Sequence, residues 1–358
     1  MLRFGHLSRA TPATGPTIRT TVNLVVTAGL AYALHRQFFV ANDFLALWGG
    51  FRQNVHRDFA AWIVGIAALM PVNLYLEGFK LRSALPEELR PAWRSVFGQV
   101  CAGIAVGLWT PGRVGEFAGR LARTAPVQRG PILAATALGG VAQWSPLLIG
   151  GGAAVLLWRT AVPVTAVSDA SGVLGALHRY LYGDLARWLG LGSVVVGVGA
   201  SVLFFAIADL ARAVKRWRFP GRIAALGARL RIGALLRADF LRAFRAERGA
   251  LFAASVARYL VYLAQMSAAF VAFGIDVGLG AAILATAALL LLHGFLPVPP
   301  ALQAVARIEF ALLLFAYRDP NEVAIAAASL FVFALNLALP AFVGWLFIVR
   351  RHDLSPSP

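Results

Sequence analysis

Long apolar runs are the feature that most constrains how this chain folds. A helix needs about 20 consecutive, mostly apolar residues to cross the ~30 Å hydrocarbon core of a bilayer. Runs that approach or exceed this length occur at 59–78, 131–157, 190–210, 259–275, 279–297 and 323–349. Of the 358 residues, 59% are hydrophobic and 14% are charged, against about 25% charged residues in soluble domains. The sequence therefore predicts an all-α fold, that of a polytopic helical membrane protein.

The predicted topology has about eight spans in a single transmembrane domain over residues 1–358, preceded by an N-terminal tail, 1–17. The spans are expected at 18–34, 59–78, 131–157, 190–210, 251–275, 279–297, 301–317 and 322–349, and Pro340 is expected to kink the last one. A shorter apolar segment, 95–110, meets Pro111 and Gly112, where a helix should break. This motif, 95–120, therefore contains either a short full crossing or a re-entrant, broken segment near 95–116, and we favour the re-entrant form.

The net charge of +17 lies between the apolar runs, where it indicates topology and contact with anionic lipid rather than with nucleic acid. Region 211–250 carries 11 Arg and Lys residues and has apolar residues at helical spacing. We expect it to form basic amphipathic helices on the cytoplasmic membrane surface. With 95–110 re-entrant, region 80–130 and both chain termini fall on that side, whereas a full crossing would move the N-terminus outside.

Charged residues cluster where the first short apolar segment breaks. Arg113, Glu116 and Arg120 are spaced i, i+3 and i+7, so on one helix they share a face. Pro111 suits the first turn of a new helix. The free N–H groups of that turn, together with Arg113, would form an anion site suited to a lipid phosphate. The alternative is an interfacial loop in which the arginines and the glutamate only pair with each other.

Polar residues also end the span 59–78, at Asn73, Glu77 and Lys80. Glu77 could pair with Lys80 or with Arg113, or the group could simply reach the membrane interface. Isolated polar residues also occur inside later spans, at Gln143, Trp144, Arg258 and His293. A lone glutamine or histidine in a span is expected to form an interhelical hydrogen bond, whereas Arg258, about two turns from Arg248 and Gly249, could reach the interface.

A second broken-helix motif is predicted at 293–317. The break is formed by Pro297, Pro299 and Pro300, and Arg307 and Glu309 follow it. Because they are two residues apart, a helix would point Arg307 and Glu309 to different sides, so each needs its own partner, which could come from the first motif. Transporters use such broken helices to expose polar backbone to a cavity. The alternative is a short loop between two spans, with Arg307 reaching the interface.

No catalytic signature accompanies these motifs. Nucleotide-binding, hydrolase and metalloprotease motifs are absent, Cys101 is the only cysteine, and the six histidines lack metal-ligand spacing. We therefore expect no metal or cofactor, and we favour a function other than catalysis.

The two motifs resemble the flippase-like family, also called the lysylphosphatidylglycerol synthase transmembrane region family. The residues that carry the resemblance are Pro111, Gly112, Arg113, Gly115, Glu116 and Arg120, the turn Leu76, Glu77 and Lys80, and Pro297, Pro299, Pro300, Arg307 and Glu309, although the family's glycine-rich stretch before that glutamate is missing. The resemblance implies a multi-span module that handles lipid and, in some members, translocates an aminoacylated phospholipid. It also implies a bacterial inner membrane, and no aminoacyltransferase domain is expected within these 358 residues.

Three functions follow as hypotheses. The first is a lipid transporter that binds an anionic or aminoacylated phospholipid, or a lipid-linked headgroup, in a polar cavity. Arg113, Glu116, Arg120, Arg307 and Glu309 would line this cavity. The second is a membrane-embedded transferase acting on lipid-linked substrates, which would need acids such as Asp43, Asp58, Asp169 or Asp184 on outer loops. The third is a non-catalytic subunit, either in a homo-oligomer or with an envelope enzyme as partner.

Overall fold

The computed structural model describes residues 44–55, 57–122, 124–125, 128–161, 183–216, 238–296, 298–316 and 321–349, and every regular element in these ranges is helical. The helices are α1 (Phe44–Asn54), α2 (Phe59–Ser83), α3 (Trp93–Gly107), α4 (Gly115–Leu121), α5 (Arg129–Ala161), α6 (Asp184–Arg216), α7 (Ala238–Ala272), α8 (Leu279–Gly294), α9 (Pro300–Phe315), α10 (Glu322–Phe333) and α11 (Leu339–Val349). Outside the described residues lie the predicted tail 1–17, span 18–34, most of region 211–250, Pro297 and the C-terminus.

Five of these helical runs are long and apolar enough to cross a membrane. They are α2, Arg129–Trp158 of α5, Asp184–Ile207 of α6, Glu247–Ala272 of α7 and the continuous run Glu322–Val349. The prediction of an all-helical protein with several membrane-spanning helices is therefore confirmed, but the count of eight is not. The predicted spans 279–297 and 301–317 form α8 and α9, of 16 residues each. At 1.5 Å per residue, each is about 24 Å long, shorter than the ~30 Å core.

The long helices turn many apolar side chains outward. Val64 of α2, Val195 and Val202 of α6, and Phe342 and Trp345 of α11 are all more than half exposed. In water a surface of this kind would drive association, whereas lipid chains are as apolar as these side chains. The outer surface of the helix bundle is therefore suited to the hydrocarbon region of a bilayer.

A sharp reversal of the chain separates α3 from α4. Gly112 and Arg113 have φ angles of 60° and 58°, so both lie in the left-handed region. Glycine adopts this conformation freely, whereas for arginine the left-handed conformation is rare and costs about 1–2 kcal/mol. The turn predicted at Pro111 and Gly112 is thus confirmed, and it extends one residue further, to Arg113.

The helices on either side of this turn form a hairpin that starts and ends on one side of the bundle. α4 runs back along α3, with Gly119 lying against the backbone of Ala102. Gln128, beyond the end of the hairpin, donates a hydrogen bond to the carbonyl of Leu89, before its start, at 3.5 Å. The chain therefore enters and leaves this hairpin at the same end, a geometry that the re-entrant alternative requires.

The short helices α8 and α9 form a second hairpin around residues 295–299. Pro299 directly precedes α9 and Pro300 occupies its first position, where the missing N–H removes no helical hydrogen bond. Most side chains in the second half of α8 and in α9 are buried. A broken backbone within a membrane is tolerated where protein covers it or where it lines a wet cavity, and the buried helices on either side of this break are compatible with such a position.

The two hairpins approach from opposite ends of α7. At one end, Arg90, just before the first hairpin, pairs with Glu247 of α7 at 3.3 Å. At the other end, Phe273 follows α7 directly and leads to the second hairpin, and its ring stacks on Phe51 with centroids 6.1 Å apart. Because the span Glu247–Ala272 lies between these contacts, the bases of the hairpins are on opposite faces of the bundle.

The tips of the hairpins meet. The N–H of Ala301 in α9 donates to the carbonyl of Leu108, at the end of α3, at 3.1 Å. The first helix of each hairpin also packs closely on a long helix from the other half of the chain. Gly344 of α11 lies against the backbone of Cys101 in α3, and Gly151 of α5 lies against Leu291 of α8. The two halves are thus interlocked around the contact between the tips.

The last span is irregular one turn before the predicted kink at Pro340. Residues Ala334–Ala338 form a π-helical turn, in which the N–H of Leu339 donates to the carbonyl of Ala334. Pro340 has no N–H for the carbonyl of Asn336, four residues earlier. The wider π-helical turn accommodates the absence of this hydrogen bond. Asn336, which belongs to the turn, is buried in the interior of the bundle.

Candidate functional site

Glu77 of α2 is the centre of a buried cluster of charges. It is only 7% exposed, and three cations from three different helices surround it. Lys80 lies 3.1 Å away, Arg120 of α4 lies 2.5 Å away and Arg258 of α7 lies 2.9 Å away. Of the two partners predicted for Glu77, Lys80 is confirmed, whereas Arg113 forms no ion pair with it in the described structure. A buried carboxylate can hold several cations in this way only if they are close and well oriented.

Glu116 links the tip of the first hairpin to this cluster. It forms ion pairs with Arg120 and, at 3.3 Å, with Arg113. The predicted convergence of the three side chains is therefore observed, although Arg113 lies in the turn Pro111–Arg113 and not on α4.

The predicted anion site at the start of the helix is not formed. The N–H of Gly115 donates to the hydroxyl of Thr110 at 2.7 Å, and α4 has only seven residues. The donors available to a ligand are therefore side chains rather than the helix N-terminus.

A chain of amides extends from Arg258 into the bundle. Arg258 donates to Asn73 at 2.8 Å, Asn73 donates to Asn336 at 2.7 Å, and Asn336 donates to Gln265 at 3.0 Å. These residues come from α2, α7 and the π-helical turn. Their polar groups satisfy one another, so the chain holds Arg258 in place without neutralising its charge.

Two cavities adjoin the charged cluster. The Glu77 cavity, of about 380 Å³, is lined by Glu77, Lys80, Glu116 and Arg120 among others. The Arg307 cavity, of about 150 Å³, is lined by Arg307, Tyr259, Tyr262 and Asn336 among others. Both volumes exceed by far the ~10–15 Å³ that one water requires. Arg113, Gln143 and Arg258 line both cavities and form the wall between them.

The two charged side chains of the second motif, Arg307 and Glu309, lie in different environments. Arg307 is 2% exposed and lines the Arg307 cavity together with Arg113. The broken helices therefore bring two arginines of the predicted site to the same cavity. Glu309 lines neither cavity and lies instead where Glu322 acts on it electrostatically. The two side chains point to different sides of α9, as their spacing predicted, and neither pairs with an acid or a cation of the first motif in the described structure.

The breaks in the two hairpins border the cavities. Gly112 lines the Glu77 cavity and Pro300 lines the Arg307 cavity, whereas Pro297 lies outside the described residues. No group of three or more His, Cys, Asp or Glu within the described ranges could hold a metal ion.

No family model, curated protein or solved structure matches the chain. The resemblance to the flippase-like family therefore stays a prediction, and the arguments below rest on the geometry.

The prediction for Gln143 is confirmed, whereas the role of Arg258 was underestimated. Gln143 does join helices, since it accepts a hydrogen bond from Lys80 at 3.0 Å and donates one to the carbonyl of Ser255 at 3.3 Å. Arg258 does more than this, because it pairs with Glu77. The signal for it was present, since a cation inside an apolar run marks a functional site by default. His293 contacts the carbonyl of Leu289 within its own helix rather than a neighbouring helix.

Proposed function

We propose that this protein binds the phosphate-bearing headgroup of an anionic phospholipid or lipid-linked intermediate in the two cavities and moves it across the membrane. The observation that carries the proposal is the position of Arg113. Its side chain is 35% exposed, it lies at the tip of the first hairpin, and it lines both cavities. An arginine of this kind can form charge-assisted hydrogen bonds to phosphate while the lipid tails remain in the bilayer.

The arrangement of the hairpins supports translocation rather than static binding. If 18–34 crosses the membrane, each half of the chain has three crossings and one hairpin, and the second half is inverted relative to the first. Transporters with inverted repeats bind substrate near the midplane, where broken helices from the two halves meet. The contact between Ala301 and Leu108 lies at such a meeting point. In the proposed cycle, one hairpin opens while the other stays closed, so the headgroup is exposed to one face of the membrane at a time.

This topology predicts which exposed positions share a face of the membrane. Glu88 and Ala125, on either side of the first hairpin, are exposed, and Gly278 is exposed at the base of the second. We expect cysteines at 88 and 125 to react with a membrane-impermeant maleimide from the same side of oriented vesicles, and a cysteine at 278 to react from the opposite side. The positive-inside rule places 88 and 125 in the cytoplasm. Labelling of 88 and 125 from opposite faces would mean that 95–110 crosses fully.

Translocation is expected to depend on Arg113. In proteoliposomes with tail-labelled fluorescent phosphatidylglycerol, reduction by external dithionite reports how fast lipid in the inner leaflet reaches the outer one. Arg113→Ala removes a charged hydrogen bond, worth roughly 1.5–3 kcal/mol, so we expect the rate to fall about tenfold or more.

Arg94→Ala is the matched control, because Arg94 is an exposed arginine at the start of the same helical hairpin. It should leave the rate unchanged. Equal rates for wild type, Arg113→Ala and protein-free vesicles would contradict the proposed function.

A further inference from the structure

The Arg307 cavity has an unusual charge. Among the described residues, its lining contains three arginines, Arg113, Arg258 and Arg307, and no carboxylate. Glu77 and Glu116, the acids of the neighbouring cavity, contact Arg258 and Arg113 but not Arg307. The chamber thus has a surplus of positive charge on one side, away from both acids.

Arg307 is the clearest case of a cation without a counter-charge. It is 2% exposed, and its Nε and Nη1 atoms are buried without a hydrogen-bond partner. Its guanidinium lies 5.7 Å from the ring centroid of Tyr262, which lines the same cavity. The contact with an aromatic face offsets only part of the cost of burying an ion. The hydroxyl of Tyr259, in the same lining, is a further buried donor without a partner.

The two cavities together repeat this imbalance. The part of their lining that the structure describes contains five cationic side chains and two carboxylates, an excess of three positive charges. The cations are Lys80, Arg113, Arg120, Arg258 and Arg307. A headgroup with a net positive charge, such as an aminoacylated one, would add to this excess, and its ammonium group would meet only carboxylates that already hold arginine. A phosphodiester head, with one negative charge, would leave most of the excess in place, and a phosphate monoester, with a charge of about −1.5 to −2 at pH 7, would leave part of it.

We propose that the ligand is a lipid whose head carries at least two negative charges on neighbouring phosphates, as in a lipid diphosphate. One phosphate would lie against Arg113 and Arg258, and the second against Arg307 and Tyr259. This inference rests on the proposed function and narrows its substrate class. It differs from what the family resemblance implies, since it disfavours an aminoacylated phospholipid.

A series of isoprenoids with one tail and different heads tests the charge requirement. Farnesol, farnesyl phosphate and farnesyl diphosphate would be titrated into the purified full-length protein in detergent, with tryptophan fluorescence as the readout. We expect the diphosphate to bind about tenfold tighter than the monophosphate, because each charged hydrogen bond contributes roughly 1.5–3 kcal/mol. Inorganic diphosphate in a parallel titration distinguishes a lipid head from a free anion, and it should bind more weakly than the farnesyl compound.

Arg307→Gln is the variant that tests whether Arg307 binds the second phosphate. It should remove most of the preference for diphosphate over monophosphate and leave the affinity for farnesyl phosphate nearly unchanged. Arg94→Gln, on the surface, should alter neither affinity. Without ligand, Arg307→Gln should unfold at the same temperature as wild type or higher, because the substitution removes an unpaired buried charge. A lower unfolding temperature would mean that Arg307 is structural and would overturn its assignment.

The remaining outcomes separate the two proposals. Equal affinities for farnesyl phosphate and diphosphate, both weakened by Arg113→Ala, would overturn the charge requirement and leave the lipid-binding function standing. Tight binding of inorganic diphosphate with no gain from the farnesyl tail would overturn the lipid function itself.

Discussion

Replacing Glu77 by alanine is expected to lower the free energy of unfolding by about 3–5 kcal/mol. The carboxylate is in contact with three cations, Lys80, Arg120 and Arg258. Its removal leaves Lys80 and Arg120 nearly buried, and among the described residues that line the surrounding cavity Glu116 is then the only acid. The measurement is the unfolding of the purified protein in mixed micelles with increasing SDS, followed by tryptophan fluorescence.

A surface ion pair supplies the control. Glu247 pairs with Arg90 at 3.3 Å and its side chain is 35% exposed, so water solvates the arginine once the glutamate is gone. Glu247→Ala should therefore change the free energy of unfolding by no more than about 1 kcal/mol. If Glu77→Ala were no more destabilising than Glu247→Ala, the central role of Glu77 in the cluster would be wrong.

Local sequence was sufficient to predict the elements but not their partners. The long apolar runs predicted the five spanning helices because hydrophobic length is a property of one segment alone. The break at Pro111 and Gly112 was likewise predictable, since it follows from the backbone chemistry of two adjacent residues. The partners of Glu77, however, come from α4 and from α7, and their choice depends on how three helices pack.

The second hairpin shows the limit of composition as a guide. α8 and α9 are as apolar as spanning helices, so the sequence predicted two crossings there. Whether a 16-residue apolar helix faces lipid or lies inside a bundle depends on what surrounds it. The same reason explains Arg307 and Glu309. Their spacing predicted opposite directions, but only packing decides that Arg307 reaches the cavity and Glu309 does not.

A leucine at position 119 is expected to disrupt the first hairpin, with a loss of at least about 3 kcal/mol in the free energy of unfolding. Even a Cβ added to Gly119 would overlap the backbone carbonyl of Ala102, and backbone cannot rotate away as a side chain can. α4 would have to move off α3. Arg120, the next residue, would then lose its contacts with Glu77 and Glu116.

Gly140→Leu in α5 is the matched control, because nothing lies within 4 Å of a Cβ added there. Gly140 lines the Glu77 cavity, to which the charged cluster belongs. This substitution should lower the free energy of unfolding by less than about 1 kcal/mol.

A double-mutant cycle then tests the link between the first hairpin and the charged cluster. If the hairpin acts by holding Arg120 against Glu77, the combined loss in Gly119→Leu with Glu77→Ala should be smaller than the sum of the two single losses, by more than the ~0.5 kcal/mol scatter of independent sites. Additive losses would mean that the glycine packing and the charge cluster stabilise the protein separately.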